Sequence, residues 1–276
     1  MPRLGVLGWP VAHSRSPAMH NAALRALGME DWRYQLLPVP PERFAETVRA
    51  LADAGFVGAN VTIPHKHAAL QLADTAGRAA RAIGAANTLT FTPGGAIAAI
   101  AAENTDAPGF LQALGVSPRG MSAQVLGAGG SARAVVWALR EAGAREVSVW
   151  NRTPERALAL ARDLGARAVP RPAPAELLVN CTSVGLEPER ANLKQSATEP
   201  QGLNLLELMF DQVGNYAHVV DLAYRSSPTP LLAAARAHGA HTVDGLEVLL
   251  AQGALSFELW TGVRPPLDVM RAALRD

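Results

Sequence analysis

The stretch VLGAGGSARA, from Val125 to Ala134, leaves the chain few choices. An apolar run of strand type enters it, and an Ala-rich run of helical type leaves it. Between them Gly127, Gly129 and Ala132 fit G-x-G-x-x-A. The first glycine allows a tight turn and the second lets the backbone approach a bulky anion. The small Ala132 lets helix and strand pack closely. Such a junction belongs to a parallel sheet covered by helices. The helix start would then offer free N–H groups to a pyrophosphate.

The flanking sequence repeats the same alternation. In the second half, Ala123–Leu126, Glu146–Trp150, Leu177–Asn180 and Val219–Leu222 read as strands. Ser131–Ala142 and Pro154–Leu164 read as helices. In the first half, strands are expected over Leu4–Leu7, Tyr34–Val39, Gly58–Val61 and Thr88–Thr92. Helices are expected over Pro17–Leu27 and Glu42–Ala54. Pro93-Gly94-Gly95 reads as a tight turn into a strand over Ala96–Ala101. Helices over Leu246–Trp260 and Leu267–Leu274 close the chain, and they suit either half. The segment from Glu187 to Ala217 is polar and irregular. Two α/β lobes with a cleft between them account for the 276 residues. Their boundary falls on Ala107–Leu114 or in Gly115–Gly120.

Composition narrows the function. A formal net charge of +1, without basic runs, offers no footprint for nucleic acid. No apolar run nears the roughly 20 residues that span a bilayer, and the first residues lack a signal-peptide core. A cytoplasmic protein is expected. The single cysteine, Cys181, excludes an intrachain disulfide and a Cys-rich metal site; it reads as a small buried residue.

The second strand of the glycine-turn half ends in NRTPER. A dinucleotide fold that prefers NAD places an acidic residue there, about 20 residues after the glycines, to hold the ribose 2′-hydroxyl. Here Asn151, Arg152 and Thr153 take its place, with Arg156 one turn on. Arginines at the positive end of a helix dipole cost a few tenths of a kcal/mol, which Glu155 partly offsets. A 2′-phosphate between Arg152 and Arg156 accounts for them better, so NADP is the expected cofactor.

Three polar clusters mark the first half. In GWPVAHSRSPAMHN, Ser16 before Pro17 reads as an N-cap with proline at the first helical position. That leaves His13 and Ser14 without a folding role, and a pair of hydroxyls over helix N–H groups suits a carboxylate. In NVTIPHKHAAL, Asn60 and Thr62 end a strand and Lys66 follows at the edge where α/β sheets bind ligands. His65 and His67 lack a matching Cys or carboxylate cluster, so no metal is expected. In GAANT and ENTDAPGF the notable residues are Asn87 and Asp106. Capping a helix is the default role of Asp106.

The order GWPVAHSRSPAMHN, NVTIPHK, GAANT, NTDAPGF, GAGGSA, NRTPER, NCTSVGL and DGLEVLLAQGALSFELWTG closely resembles the shikimate dehydrogenase family, from Gly5 to about Gly262. The resemblance implies reversible NADP-dependent interconversion of shikimate and 3-dehydroshikimate, on the route to chorismate and the aromatic amino acids. It implies an α/β protein with an N-terminal, mostly parallel substrate domain over 1–110 and a Rossmann-type NADP domain over 111–242. Helices over 243–276 would return to the first domain. Ser14 and Ser16 would hold the substrate carboxylate. Thr62, Asn87, Asp106, Tyr224 and Gln252 would line the ring, with Asn60 supporting them. Lys66 would be catalytic, paired with Asp106. Gly127 to Ser131 and Asn151 to Arg156 would hold NADP, with Leu222 and Gly245 on the nicotinamide side. A monomer or homodimer is expected. The chain departs from the family after Tyr224, where Arg225-Ser226-Ser227 delays the first proline to Pro228. Two other activities share this pattern: a quinate or dual quinate/shikimate dehydrogenase using NAD, and a non-catalytic NADPH-binding regulator. The presence of both Lys66 and Asp106 speaks against the regulator.

Overall fold

The computed structural model describes residues 1–92, 99–186, 201–225 and 227–275, the side chains of 201 and 202 excepted. The expected turn at Pro93-Gly94-Gly95, the first residues of the strand after it, and 187–200 of the irregular segment lie outside them. The chain divides into two compact units, Met1–Phe110 with Leu249–Asp276, and Leu111–Val248.

The first unit opens with β1 (Arg3–Gly8), α1 (Ser16–Ala26), β2 (Arg33–Pro38), α2 (Phe44–Asp53) and β3 (Phe56–Val61). It continues through α3 (Lys66–Leu72), β4 (Thr75–Ala76), α4 (Arg78–Ile83), β5 (Thr88–Thr92) and β6 (Ala99–Glu103), and α5 (Asp106–Leu114) begins in it and ends in the second unit. Its sheet runs β2-β1-β3-β5-β6-β4. The β1–β2, β1–β3 and β4–β6 pairs are parallel, whereas β5 runs antiparallel to both neighbours. Reversal at β5 follows from the short β5–β6 connection, since a parallel pair needs a crossover of a dozen or more residues. The core under this sheet gathers Leu7, Val48, Ala59, Ala69, Leu89 and Ala102.

The second unit holds β7 (Ser122–Leu126), α6 (Gly130–Glu141), β8 (Glu146–Trp150), α7 (Pro154–Leu164), β9 (Arg167–Ala168) and β10 (Leu177–Asn180). Two four-residue helices follow, α8 (Gln201–Asn204) and α9 (Phe210–Val213), then β11 (His218–Asp221), α10 (Pro230–Ala237) and β12 (His241–Val243). All five strand pairs are parallel, in the order β12-β11-β10-β7-β8-β9. With β7 counted as first, this is the 3-2-1-4-5-6 order of a dinucleotide fold, whose order reverses between β7 and β10. α11 (Gly245–Thr261) begins in the second unit and ends in the first, and α12 (Leu267–Arg275) packs on α1. The Arg15 guanidinium donates to the Leu274 carbonyl and ties α1 to α12. No helix among the described residues is long and apolar enough to cross a membrane.

Candidate active site

The loop from Trp9 to Arg15 joins β1 to α1 and delivers the two serines. The helix starts one residue earlier than the Ser-Pro pair suggests. Arg15 occupies the capping position without a side-chain cap, and Ser16 is already helical. It is the Ser14 hydroxyl that accepts from the Ser16 backbone N–H, at 3.3 Å. The expectation that Ser16 caps the helix is therefore corrected. Ser16 is buried and its hydroxyl has no capping task, while His13 is exposed.

At the end of β3 the chain turns through Thr62 and enters α3 at Lys66. Thr62 lies against β1, where its Cγ2 would come within 2.5 Å of a Cβ on Gly8. His65 points its Nε2 at the Val39 carbonyl and stacks on Phe44, and His67 Nδ1 meets the Gly84 carbonyl. The two rings thus serve separate backbone contacts. Burial pushes the His65 pKa down, against the pull of the Val39 carbonyl.

Lys66 and Asp106, forty positions apart, meet. The ammonium donates to Asp106 Oδ2 at 2.7 Å, and the two side chains are only 10% and 18% exposed. Asp106 is not the cap of α5. Asn104 Oδ1 accepts the Ala107 N–H at 3.1 Å, which leaves both Asp106 oxygens to other partners. Oδ1 accepts from Asn87 Nδ2 at 2.9 Å. Asn87 Nδ2 also faces Thr105 Oγ1 at 2.9 Å and Gln252 Oε1 at 3.2 Å. The Thr105 backbone N–H donates to Asn87 Oδ1 at 2.7 Å, so the amide cannot flip without opposing two donors. Lys66, Asn87, Asp106 and Gln252 thus converge on one carboxylate-centred patch of the first unit.

Asn60 stands apart from this patch. Its Oδ1 accepts from Tyr34 Oη at 2.8 Å, and its Nδ2 lies within reach of Ser256 Oγ, the Asn87 carbonyl and Thr88 Oγ1. It is buried with its amide engaged inside the protein. Sequence reasoning misses Tyr34, Thr88, Thr105 and Ser256. In an Ala-rich chain, buried Ser and Thr look like tolerated small residues. The only signal for Ser256 is its place one turn after Gln252 on a mostly apolar helix.

The second unit carries the glycine turn. Gly127 adopts φ +107°, open to glycine, and a Cβ there would come within 3.2 Å of the Cys181 backbone. A Cβ built on Gly129 meets nothing within 4 Å. Gly129 is the capping position of α6 and makes no side-chain cap, and Ala132 is fully buried. Ala128 and Ser131 lie half-buried in the same turn. Asn151 Nδ2 donates to the Thr153 carbonyl at 2.9 Å and shapes the turn into α7. Arg152, Thr153 and Arg156 are exposed, and neither arginine forms an ion pair among the described residues. Open space over a glycine, a helix start without a side-chain cap, and two guanidinium groups without an ion pair among the described residues suit a dinucleotide with a 2′-phosphate.

Gly245 starts α11 where a Cβ would meet the Leu222 carbonyl at 2.4 Å, so glycine is required for close approach. Tyr224 is half-buried in the loop beyond β11. That loop is anchored by Asp221, which accepts from Asn180 Nδ2 (2.8 Å), Ala223 N–H (3.0 Å) and Thr229 Oγ1 (2.6 Å). Burial pushes the Asp221 pKa up to about 6, while those three donors pull the other way. Cys181 is half-buried, not buried as its residue type suggests, because it lies in the loop after β10.

Three family models match the chain. They describe a shikimate dehydrogenase substrate binding domain over residues 6–89, a shikimate/quinate 5-dehydrogenase over 113–179, and a shikimate 5′-dehydrogenase C-terminal domain over 245–275. The NADP(+) shikimate dehydrogenase of Acidiphilium cryptum is 46% identical over 273 residues, covering 96% of this chain and 92% of that protein. Its counterpart in Thermus thermophilus is 46% identical over 279 residues, covering 100% and 98%. The crystal structure of Thermus thermophilus shikimate 5-dehydrogenase with NADP(H) and shikimate superposes with a TM-score of 0.84 at 44% identity, covering 100% of this chain and 99% of that one.

Proposed function

The chain belongs to the shikimate dehydrogenase family, and from that premise we propose how its residues carry out the reaction. It is an NADP-dependent oxidoreductase that interconverts 3-dehydroshikimate and shikimate. When bound, NADPH supplies the hydride that the C3 ketone accepts.

Lys66 is the proton donor. Negative charge grows on the ketone oxygen during reduction, and an ammonium within hydrogen-bond reach neutralises it as it forms. In the oxidative direction the neutral amine takes the hydroxyl proton. Asp106 orients the amine through Oδ2, while Asn87 holds the same carboxylate through Oδ1. Gln252 and Thr62 face the ring hydroxyls, Asn60 supports them, and Ser14 and Ser16 hold the carboxylate. Tyr224 belongs to the same substrate set. On the cofactor side, the turn from Gly127 to Ser131 cradles the pyrophosphate, and Leu222 and Gly245 border the nicotinamide. Asn151 and Thr153 shape the adenosine end, where Arg152 and Arg156 clamp the 2′-phosphate. The substrate domain is the first unit and the NADP domain the second. The enzyme works in the cytoplasm as a monomer or homodimer.

The observation that carries this assignment is the 2.7 Å Lys66–Asp106 pair, joined by Asn87 on the second carboxylate oxygen. Initial rates with shikimate and quinate, each with NADP and NAD, test it. Preference for shikimate with NADP is expected. A preference for quinate with NAD would reverse the substrate and cofactor assignment. NADPH binding with no turnover of either acid would refute catalysis.

A further inference from the structure

Three hydroxyls lie beneath the catalytic pair with no assigned task. Thr88 Oγ1, Thr105 Oγ1 and Ser256 Oγ form a triangle with sides of 3.0 to 3.1 Å. Thr88 and Thr105 are buried, and Ser256 is wholly inaccessible. They come from β5, from the residue just before α5, and from α11. Burying three hydroxyls costs free energy unless each finds partners.

Counting donors fixes the role of Ser256. Ser256 has one hydroxyl proton and donates it to the Gln252 carbonyl at 3.1 Å. Its oxygen therefore accepts, from Asn60 Nδ2 at 2.9 Å and from the hydroxyl of Thr88 or Thr105, at 3.0 and 3.1 Å. The two threonine hydroxyls are themselves 3.1 Å apart. Thr105 in turn accepts from Asn87 Nδ2 at 2.9 Å. A hydrogen-bonded path thus joins the Asn87 amide, through the Thr105 and Thr88 hydroxyls, to Ser256 and the backbone of α11. Each bond polarises the next.

Both ends of this chain touch the site. Asn87 holds Asp106 Oδ1, and Thr105 immediately precedes Asp106. Gln252, whose carbonyl ends the chain, presents Oε1 to Asn87. Without the Ser256 oxygen, Thr88 and Thr105 keep only each other and Asn87 Oδ1 as acceptors. The acceptor next to α11 is then gone, and the helix loses one of its polar ties to the sheet, keeping the bond from Trp260 Nε1 to the Leu89 carbonyl.

We infer that Ser256 is a positioning residue for the reaction: through Thr88 and Thr105 it fixes Asn87 and Asp106, and through α11 it fixes Gln252. This rests on the assignment of Lys66 and Asp106 given above.

The test compares Ser256→Ala with Thr261→Val. Thr261 lies on the same helix and also donates to the carbonyl four residues back, at 2.8 Å, but away from the cluster. For Ser256→Ala, kcat/KM for shikimate falls about tenfold, the equivalent of one net hydrogen bond near the top of its usual range. The KM for NADP stays unchanged. Thr261→Val lowers the melting temperature and leaves both constants unchanged. Thr88→Val, an isosteric change, reproduces the kinetic loss and serves if Ser256→Ala does not fold. In selectively labelled protein, the Asn87 side-chain amide protons exchange slowly in the wild type and faster in either cluster variant.

Wild-type kcat/KM in both cluster variants, or an equal loss in Thr261→Val, overturns the inference. If the wild type does not turn over shikimate, the assignment of the reaction fails. The exchange of the Asn87 amide then still decides for or against the positioning role.

Discussion

Gly109→Ala is the sharpest perturbation of the site that leaves every functional group in place. Gly109 lies on α5, three residues after Asp106, and packs on the backbone of α11. A Cβ there would lie 2.6 Å from Gln252 N and 2.7 Å from its Cα and Cβ. That is roughly 0.8 Å short of ordinary van der Waals contact, whose optimum for carbon pairs is about 3.5–4.0 Å. The atoms in the way are mainly backbone, so no rotamer change relieves the clash. In an exposed helix interior alanine would gain about 1 kcal/mol over glycine, but overpacking costs about 1–3 kcal/mol. The melting temperature should fall. If α5 retreats by the missing distance, the Asn87–Asp106 contact lengthens from 2.9 Å to beyond hydrogen-bonding range. A misplacement of about 1 Å costs about 10²-fold in rate. Initial-rate kinetics and a thermal melt should therefore show kcat down by about that factor and reduced stability. A variant as stable as the wild type with unchanged kcat would refute the claim that close packing of α5 on α11 sets the geometry of Asp106.

Replacing Arg152 or Arg156 by Ala should raise the KM for NADP about tenfold or more, the cost of losing a hydrogen bond to a charged group. The KM for shikimate should not change; an unaltered KM for NADP would remove the 2′-phosphate clamp. His20, wholly buried and stacked on Tyr34, has no hydrogen-bond partner for either ring nitrogen among the described residues, and burial lowers its pKa to about 3. Its folded pKa lies below the unfolded 6.5, so its contribution to stability is present above pH 6.5 and drains away as pH falls toward 3. The slope is about 1.4 kcal/mol per pH unit. His20→Phe should therefore gain on the wild type in urea midpoint between pH 7 and pH 5, and a constant difference would contradict this. Asp221 has the opposite sign: its folded pKa of about 6 exceeds the unfolded 3.8, so its contribution is full below pH 3.8 and lost as pH rises through 6. A carboxyl NMR titration near 6 is expected, and one below 4 would refute the dominance of burial.

Much of the fold is legible in the sequence because the long elements are self-announcing. The glycine turn at Gly127, the apolar runs of β7, β8 and β10, and the Ala/Leu periodicity of α6, α7 and α11 each carry their own signal. The short ones do not. β4, β9 and β12 have two or three residues each, and sheet neighbours rather than propensity make them strands. α4, in GRAARAI, and α10, after Thr229-Pro230, are short enough to pass for loop.

The site is legible through motif order. Nothing in periodicity brings Lys66 to Asp106, and the resemblance alone joins them. Local capping rules misassign two residues. Ser16 loses its cap to a helix that starts one position early, and Asp106 loses its cap to Asn104, which leaves its carboxylate to Lys66 and Asn87. The hydroxyl cluster of Thr88, Thr105 and Ser256 becomes visible only with burial, since small polar residues declare nothing until their surroundings are known.

Lys66→Met tests the central claim most directly, because it removes the ammonium while keeping the length of the side chain. Steady-state rates of NADP reduction by shikimate should show kcat lowered by about 10²–10⁴-fold, the usual weight of acid–base catalysis, with the KM for shikimate far less affected. Turnover close to that of the wild type would contradict the assignment of Lys66 as the proton donor and acceptor.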